Sequence, residues 1–170
     1  MPKIIENLKQ RLMDETGRQL ATAGYADTTV RSVAAACGVG IGTVYNYFHS
    51  KDALVAACLL EDWKDCMKEI LAVSAAAKTP KPVAKCICEQ LRAFSSRHEA
   101  LFDSARAAGA AADGAERYHA LLRGRLASPL RKFCESDFAA QFAAEALLVW
   151  TMEGKDFESV YALVGRVLEP

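Results

Sequence analysis

This sequence lacks an excess of charge of either sign, and it lacks a long apolar run. It contains 170 residues with 21 Lys+Arg and 21 Asp+Glu, so its formal net charge is zero. No run of 18 or more apolar residues is present, which argues against a transmembrane helix. Its first ten residues lack the apolar core of a signal peptide, so we expect a cytoplasmic protein with no membrane partner.

The sequence also lacks the short motifs that carry catalytic chemistry. There is no glycine-rich phosphate loop, no nucleophile elbow and no HExxH motif. Carboxylates such as Glu61 and Asp62 are predicted to lie on solvated helix faces. We therefore expect a protein that is not an enzyme and that needs no cofactor.

Six cysteines and three histidines are present, but their spacing is not that of a disulfide framework or a metal site. Cys86 and Cys88 form a CxC pair, which could indicate metal binding or a thiol switch. Residues two apart on a helix point about 200° apart, so this pair could not chelate one ion on an unbroken helix. We expect no metal, and redox sensing by a cysteine stays an alternative, since buried cysteine is usually a small hydrophobe.

The charge is distributed unevenly, although the difference is small. Residues 1–51 hold 6 basic and 4 acidic residues, a net charge of +2, and residues 52–170 hold 15 and 17, a net charge of −2. This asymmetry has the sign that nucleic acid favours at the N-terminal end. Charge alone does not identify the function.

What the sequence does contain is a pair of short helix patterns in residues 28–51. In the first, apolar residues recur at helical spacing from Val30 to Cys37, and Thr29 before them is a good N-cap. Gly38 supplies the left-handed residue that ends this helix and turns the chain.

A second helix is predicted from about Ile41 to Phe48, with Val44 and Phe48 facing inward. The residues left facing outward are Thr43, Tyr45, Asn46 and Tyr47. Two tyrosines, an asparagine and a threonine on a short exposed helix suit a nucleic-acid groove better than bare solvent. The two helices together are typical of a helix-turn-helix.

At this point the sequence resembles a known family. The matching residues are Gly24-Tyr25, Thr28-Thr29-Val30-Arg31, Val33-Ala34, Gly38-Val39, Gly42-Thr43-Val44-Tyr45-Asn46-Tyr47-Phe48 and Ser50-Lys51. Over roughly residues 10 to 55 the chain is similar to the TetR/AcrR family of transcriptional repressors. The resemblance implies an all-α fold, with an N-terminal three-helix helix-turn-helix DNA-binding domain in 1–50. A helical effector-binding and dimerisation domain would follow in 51–170.

The same resemblance implies a dimeric, ligand-responsive repressor that binds a short pseudo-palindromic operator in double-stranded DNA. Residues implied to meet bases and phosphates are Thr43, Tyr45, Asn46 and Tyr47. Those implied to grip the DNA backbone are Thr29, Arg31 and Lys51, and those implied to permit close approach are Gly40, Ile41 and Gly42. An unknown small-molecule effector, bound between helices 4 and about 8, would release the operator.

The chain departs from the family pattern at four positions. Gly40 stands where the family usually has Ser, and Ser32 where it usually has Asp or Glu, which predicts a weakened capping box at Thr29. Gly17 and Gln19 stand where helix 1 usually carries apolar residues. We expect these departures to lower local stability.

The rest of the chain is predicted to be helical. Expected helices cover about 4–23, 51–77, 83–97 and an interrupted 99–131. In the first of these helices, the residues expected to face inward are Ile5, Leu8, Leu12, Leu20 and Ala21. The interruption falls at 105–115, and the expected stops are Gly24, the TPKP segment at 79–82, and Ser128-Pro129. The apolar stripes are Val55, Leu59, Trp63, Cys66, Ile70 and Val73 in the long helix, and Val83, Ile87, Leu91 and Phe94 in the next.

The last two predicted helices, about 137–153 and 156–169, indicate a dimer interface. The first is apolar nearly all round, with one narrow polar stripe of Asp137, Gln141 and Glu145, so it is expected to be buried on two sides. In so short a chain, the second side is most simply covered by a partner subunit. Glu in place of Leu147 and Trp150 is accordingly predicted to disrupt a homodimer.

Some alternatives stay open. Tyr45 and Tyr47 could pack against the protein, and Arg31 could be a solvated arginine. Trp63, Phe94, Phe102 and Tyr118 could line an effector pocket, but they are equally good core residues. A protein-interaction module built on a helix-turn-helix is a rival function, and it would show no salt-sensitive DNA binding.

Overall fold

The computed structural model describes residues 7–107 and 112–169, and within these ranges the chain is helical and contains no β-strand. The helices are α1 Leu8–Asp27, α2 Val30–Ala36, α3 Ile41–Tyr45, α4 Lys51–Ala76, α5 Pro80–Ala107, α6 Ala112–Ala127, α7 Asp137–Met152 and α8 Phe157–Leu168, with a 3₁₀ helix at Ser128–Phe133. This confirms the predicted all-α class. None of the described helices is long and apolar enough to cross a membrane.

The chain divides into two compact units. The first comprises Met1–Asp62 with Glu99–Gly114, and the second comprises Trp63–His98 with Ala115–Pro170. The predicted domain boundary at residue 50 stays a prediction. Three predictions fall outside the described part of the chain. They concern the inward position of Ile5, residues 108–111 of the predicted interruption, and the side chain of Tyr118.

The core of the first unit is formed by one face each of α1, α2 and α3 with the start of α4. Its buried members are Leu8, Leu12, Met13, Val30, Val33, Ala34, Cys37, Val44, Phe48 and Leu54. Ala21, which was predicted to face inward, is exposed. It lies nine positions after Leu12, and at 100° per residue this places it on the opposite side of α1.

The end of α1 is shaped by one glycine. Gly24 has a φ of 77°, which interrupts the helical backbone at the predicted position, and one further turn then runs to Asp27. Thr28 closes that turn, because its backbone N–H and its hydroxyl both donate to the carbonyl oxygen of Gly24, at 3.2 and 2.7 Å. The extra turn matters for the site because it contains Tyr25.

The predicted break at 79–82 is wrong in its extent. Pro80 is the first residue of α5, and Pro82 lies in its first turn. Prolines are tolerated there because the first N–H groups of a helix have no partner within it. The helix also continues to Ala107, beyond the predicted end at 97, since residues 83–104 contain neither glycine nor proline.

The second unit buries the apolar stripes that the sequence predicted. Trp63, Cys66 and Ile70 of α4 are buried, as are Val83, Ile87, Leu91 and Phe94 of α5. Trp63 meets Phe94 edge to face, with ring centroids 5.2 Å apart. Helix α7 packs against α8 and against the 3₁₀ helix, which begins where the stop at Ser128-Pro129 was predicted.

Candidate nucleic-acid interface

The turn between α2 and α3 is a Schellman motif. Gly38 has a φ of 69°, its N–H donates to Ala35 O at 3.1 Å, and the N–H of Val39 donates to Ala34 O at 3.0 Å. These bonds satisfy carbonyl groups that the end of a helix leaves without partners. Val39 also packs against the core of the first unit, so the turn has one fixed shape.

Helix α3 has the predicted orientation, although it is shorter than predicted. Val44 and Phe48 are 0% and 4% exposed, which confirms the inward pair. The helix is Ile41–Tyr45 rather than 41–48, because the chain tightens after Tyr45 and the N–H of Tyr47 donates to Val44 O at 3.0 Å. This bond spans three residues, as in a 3₁₀ turn.

The residues predicted to read DNA lie on the outward side of α3 and of the turn that follows it. Tyr45 and Tyr47 are 50% and 45% exposed and Asn46 is also exposed, which argues against the packing alternative for the two tyrosines. Thr43 is half-buried. Ile41 is half-buried as well and packs against the core, so part of its role is structural.

The folded chain does not require glycine at Gly40, just before α3, or at Gly42, within it. A Cβ atom added at Gly42 would meet nothing within 4 Å, and at Gly40 it would meet only the Thr43 hydroxyl, at 3.9 Å. Neither residue has a positive φ. The open space beside Gly40 and Gly42 is therefore available to a molecule outside the chain.

Lys51 has a partner within its own chain. Its Nζ donates to the carbonyl oxygen of Tyr25 and lies 3.9 Å from the centroid of the Tyr25 ring. Burial lowers the pKa of Lys51, while the charges of Asp52 and Asp27 partly offset that effect. Arg31 and Thr29, the other two residues predicted to grip the DNA backbone, are exposed.

Tyr25 joins the end of α1 to α4 and to the end of α5. Its hydroxyl donates to the carboxylate of Asp52, and its backbone N–H donates to Ser104 Oγ at 3.1 Å. Burial, reinforced by the bond to the Asp52 carboxylate, raises the pKa of Tyr25 to about 12. Sequence reasoning missed this role, because Tyr25 was noted only as part of the family resemblance.

The capping box at Thr29, which was expected to be weakened, has both of its bonds in the structure. The N–H of Ser32 donates to the Thr29 hydroxyl at 3.0 Å, and the N–H of Thr29 donates to Ser32 Oγ at 3.0 Å. A hydroxyl can accept here in place of the usual carboxylate because its own hydrogen has another acceptor. Ser32 Oγ donates to Gln19 Oε1 at 2.6 Å.

Gln19 and Ser32 are two of the departures from the family pattern, and they are hydrogen-bonded to each other within one network. The Gln19 amide donates to Glu15 at 2.7 Å, and Arg18 donates to both oxygens of Glu15, at 2.6 and 2.8 Å. The bond from Arg18, followed by that from Gln19, lowers the pKa of Glu15 to about 2. The buried amide of Gln19 is therefore satisfied on both sides.

Replacing Ser32 with Ala should lower the free energy of unfolding by about 1–2 kcal/mol, because it removes a cap acceptor and deprives the buried Gln19 of a donor. Urea denaturation followed by circular dichroism would measure this loss. Ser96→Ala, at an exposed serine within α5, is the matched control and should change stability by less than about 0.5 kcal/mol. An equally small change for both variants would contradict the network.

Cys37, Cys66, Cys86 and Cys88 are buried, and Cys58 and Cys134 are half-buried. Burial raises the pKa of Cys37, Cys86, Cys88 and Cys134, and it raises that of Cys58 to about 12. A raised pKa lowers the thiolate fraction at neutral pH, and the thiolate is the reactive form. Among the described residues, no group of three or more His, Cys, Asp or Glu side chains could hold a metal ion.

The segment that forms this surface matches a known family model. Residues 12–58 match the model of bacterial regulatory proteins of the tetR family. Over these residues the chain is similar to the tetR family of bacterial regulatory proteins. A relative in Bacillus subtilis, the uncharacterized HTH-type transcriptional regulator YerO, is 39% identical over 51 residues, which are 29% of this chain. The match covers 18% of the relative, so it spans less than a fifth of that protein's length.

Solved structures extend the similarity of fold to nearly the whole chain. The TetR-family repressor FadR of Thermus thermophilus, solved with lauroyl-CoA, is 17% identical with a TM-score of 0.64, over 94% of this chain and 92% of that one. The TetR-family repressor AlkX of Dietzia sp., implicated in n-alkane biodegradation, is 19% identical with a TM-score of 0.62, over 95% and 97% of the two chains. At these identities the likeness shows similarity of fold alone.

Proposed function

We propose that this chain is a dimeric transcriptional repressor that binds a pseudo-palindromic operator and is released from it by a small molecule. The orientation of α3 is the observation that carries the DNA-binding part. Val44 and Phe48 fix the helix to the core, while Tyr45, Asn46 and Tyr47 stand exposed beside it. A fixed helix with exposed polar and aromatic side chains can enter the major groove, as in other helix-turn-helix proteins.

The proposed division of roles follows from side-chain chemistry. Asn46 can donate and accept together, which is the pattern that pairs with adenine, and Thr43 and Tyr45 each offer one hydroxyl. Arg31, Thr29 and Lys51 would contact phosphates, which position a protein on DNA without reading its sequence. The open space at Gly40 and Gly42 would admit the DNA backbone close to the start of α3.

We propose that α7 and α8 form the dimer interface. Three large apolar side chains on them are mostly exposed in the single chain: Phe138 at 77%, Phe142 at 52% and Leu163 at 68%. Large apolar side chains left exposed on two helices that pack against each other favour an association surface. Leu147, in contrast, is 0% exposed and belongs to the chain's own core, so it is unsuitable for testing the interface.

Release by an effector is proposed from the family relation. FadR of Thermus thermophilus was solved with lauroyl-CoA, which supports a small-molecule effector for this chain as well. Trp63 and Phe94, which were candidates for lining a pocket, pack against each other in this structure.

Selection from random double-stranded DNA, followed by gel shifts over a range of salt concentrations, tests the proposal. We expect an enriched sequence with two half-sites about 34–36 Å apart or a multiple of this, and an affinity that falls steeply with salt. A screen of small molecules for release of that DNA would then test the effector role. No enrichment and no salt-sensitive binding would favour the rival protein-interaction module.

A further inference from the structure

The ammonium of Lys51 is held from two sides by one residue. The Tyr25 carbonyl oxygen accepts one of its N–H groups, and the Tyr25 ring lies 3.9 Å from Nζ. A cation over the face of an aromatic ring is attracted by the negative charge density of that face. An ammonium carries three N–H donors, so a carbonyl bond and a ring contact leave it able to meet a further acceptor.

The ring beneath Lys51 is itself fixed. Tyr25 is 8% exposed, its hydroxyl donates to Asp52, and its backbone N–H donates to Ser104 Oγ at 3.1 Å. Lys51 is half-buried rather than enclosed. A rigid residue therefore fixes the position of a positive charge on a partly accessible side chain.

We propose that Tyr25 is a positioning residue for DNA binding, which holds the Lys51 ammonium ready for a phosphate. The inference rests on the proposed function, in which Lys51 contacts the DNA backbone. A free lysine side chain loses rotamer freedom when it binds a phosphate, whereas one that is already held loses less. Immobilising one such side chain corresponds to about a 2- to 10-fold change in affinity, so Tyr25 should contribute by that factor.

A double-mutant cycle tests this inference. Lys51→Ala should lower the slope of log affinity against log salt by about 1 for each phosphate that is no longer neutralised. Tyr25→Leu keeps the lysine and the backbone carbonyl but removes the ring, so it should weaken operator binding about 2- to 10-fold per subunit and keep the slope. In the Lys51→Ala background, Tyr25→Leu should weaken binding no further. All affinities are measured on the selected operator at a temperature where circular dichroism shows each variant folded.

Tyr25→Phe is the matched control, because it keeps the ring beneath Lys51 and removes only the bond to Asp52. We expect its operator affinity to lie within twofold of wild type. If Tyr25→Leu does not fold, NMR of the wild-type protein serves instead. The ring should shift the Lys51 side-chain protons upfield, and the shift should persist when the operator is bound.

Three results would overturn the inference. An equal loss from Tyr25→Leu with and without Lys51 would show a purely structural role for the tyrosine. An upfield shift that disappears on the operator would show that Lys51 leaves the ring to reach DNA. An unchanged salt slope in Lys51→Ala would show that this lysine does not contact DNA, even though the protein binds its operator. Wild-type protein without salt-sensitive DNA binding would instead refute the proposed function, and this inference with it.

Discussion

Glu in place of both Phe142 and Leu163 should convert the protein into a folded monomer with greatly weakened operator binding. These side chains are 52% and 68% exposed in the single chain, so replacing them leaves its core unchanged. In a dimer formed by α7 and α8, four carboxylates would become buried without partners, at a cost of several kcal/mol each. Sedimentation would measure the mass, and circular dichroism would verify the fold.

Leu71→Glu is the matched control for this variant. Leu71 is 47% exposed and lies on α4 rather than on α7 or α8, so its substitution should leave the mass of the assembly unchanged. Leu147→Glu should behave differently from both variants, because its charge would enter the chain's own core and unfold the second unit. A wild-type protein that sediments as a monomer at micromolar concentration would refute the proposed dimer.

The loss of DNA affinity follows from symmetry. A dimer places two α3 helices on two half-sites at once, so the second half-site is bound within an existing complex and gains from a high effective concentration. A monomer binds one half-site and forgoes that gain, which is commonly about 10²- to 10⁴-fold. Retained tight binding by a verified monomer would show that one half-site suffices.

Local patterns in the sequence predicted the helices well. The spacing of Val30, Val33 and Val44 indicated which faces of α2 and α3 are buried, because helical periodicity depends only on neighbours along the chain. Gly38 was predictable for the same reason, since a left-handed residue after a helix needs no knowledge of the rest of the fold. The outward positions of Tyr45, Asn46 and Tyr47 follow directly from these local rules.

Contacts between distant residues could not be predicted in this way. Ser32 and Gln19 are 13 positions apart, and each alone reads as a defect relative to the family pattern. Lys51 and Tyr25 are 26 positions apart, so an apparently free lysine at a helix start proved to be held. Only the packing of one helix on another brings such partners together.

Helix α7 shows a second limit of sequence patterns. Because it is apolar nearly all round, its periodicity does not distinguish the side that faces the chain's own core from the side left exposed. The structure makes that distinction, with Leu147 at 0% exposure and Phe138 at 77%. The sequence predicted a helix buried on two sides, and the structure shows which residues remain uncovered.

Asn46→Ala should relax the preference for one base pair per half-site by about 1–3 kcal/mol, with non-specific binding close to wild type. An amide that donates and accepts together discriminates adenine, whereas Ala offers neither group. The fold should be unaffected, because Asn46 is exposed and its contribution to the end of α3 is made by its backbone N–H, which donates to Gly42 O at 3.2 Å. Binding to operators altered one position at a time, beside random DNA of equal length, would measure both affinities.

Gln10→Ala is the control for Asn46→Ala, since it removes an exposed amide from α1, outside the proposed reading surface, and should change neither affinity. A parallel fall of specific and non-specific binding in Asn46→Ala would mean that the amide contacts a phosphate. Base reading would then pass to Thr43 or Tyr45, whose single hydroxyls discriminate less. If neither affinity changes, the exposed side of α3 does not face DNA bases, and the proposed groove contact is refuted even though the helix-turn-helix fold remains.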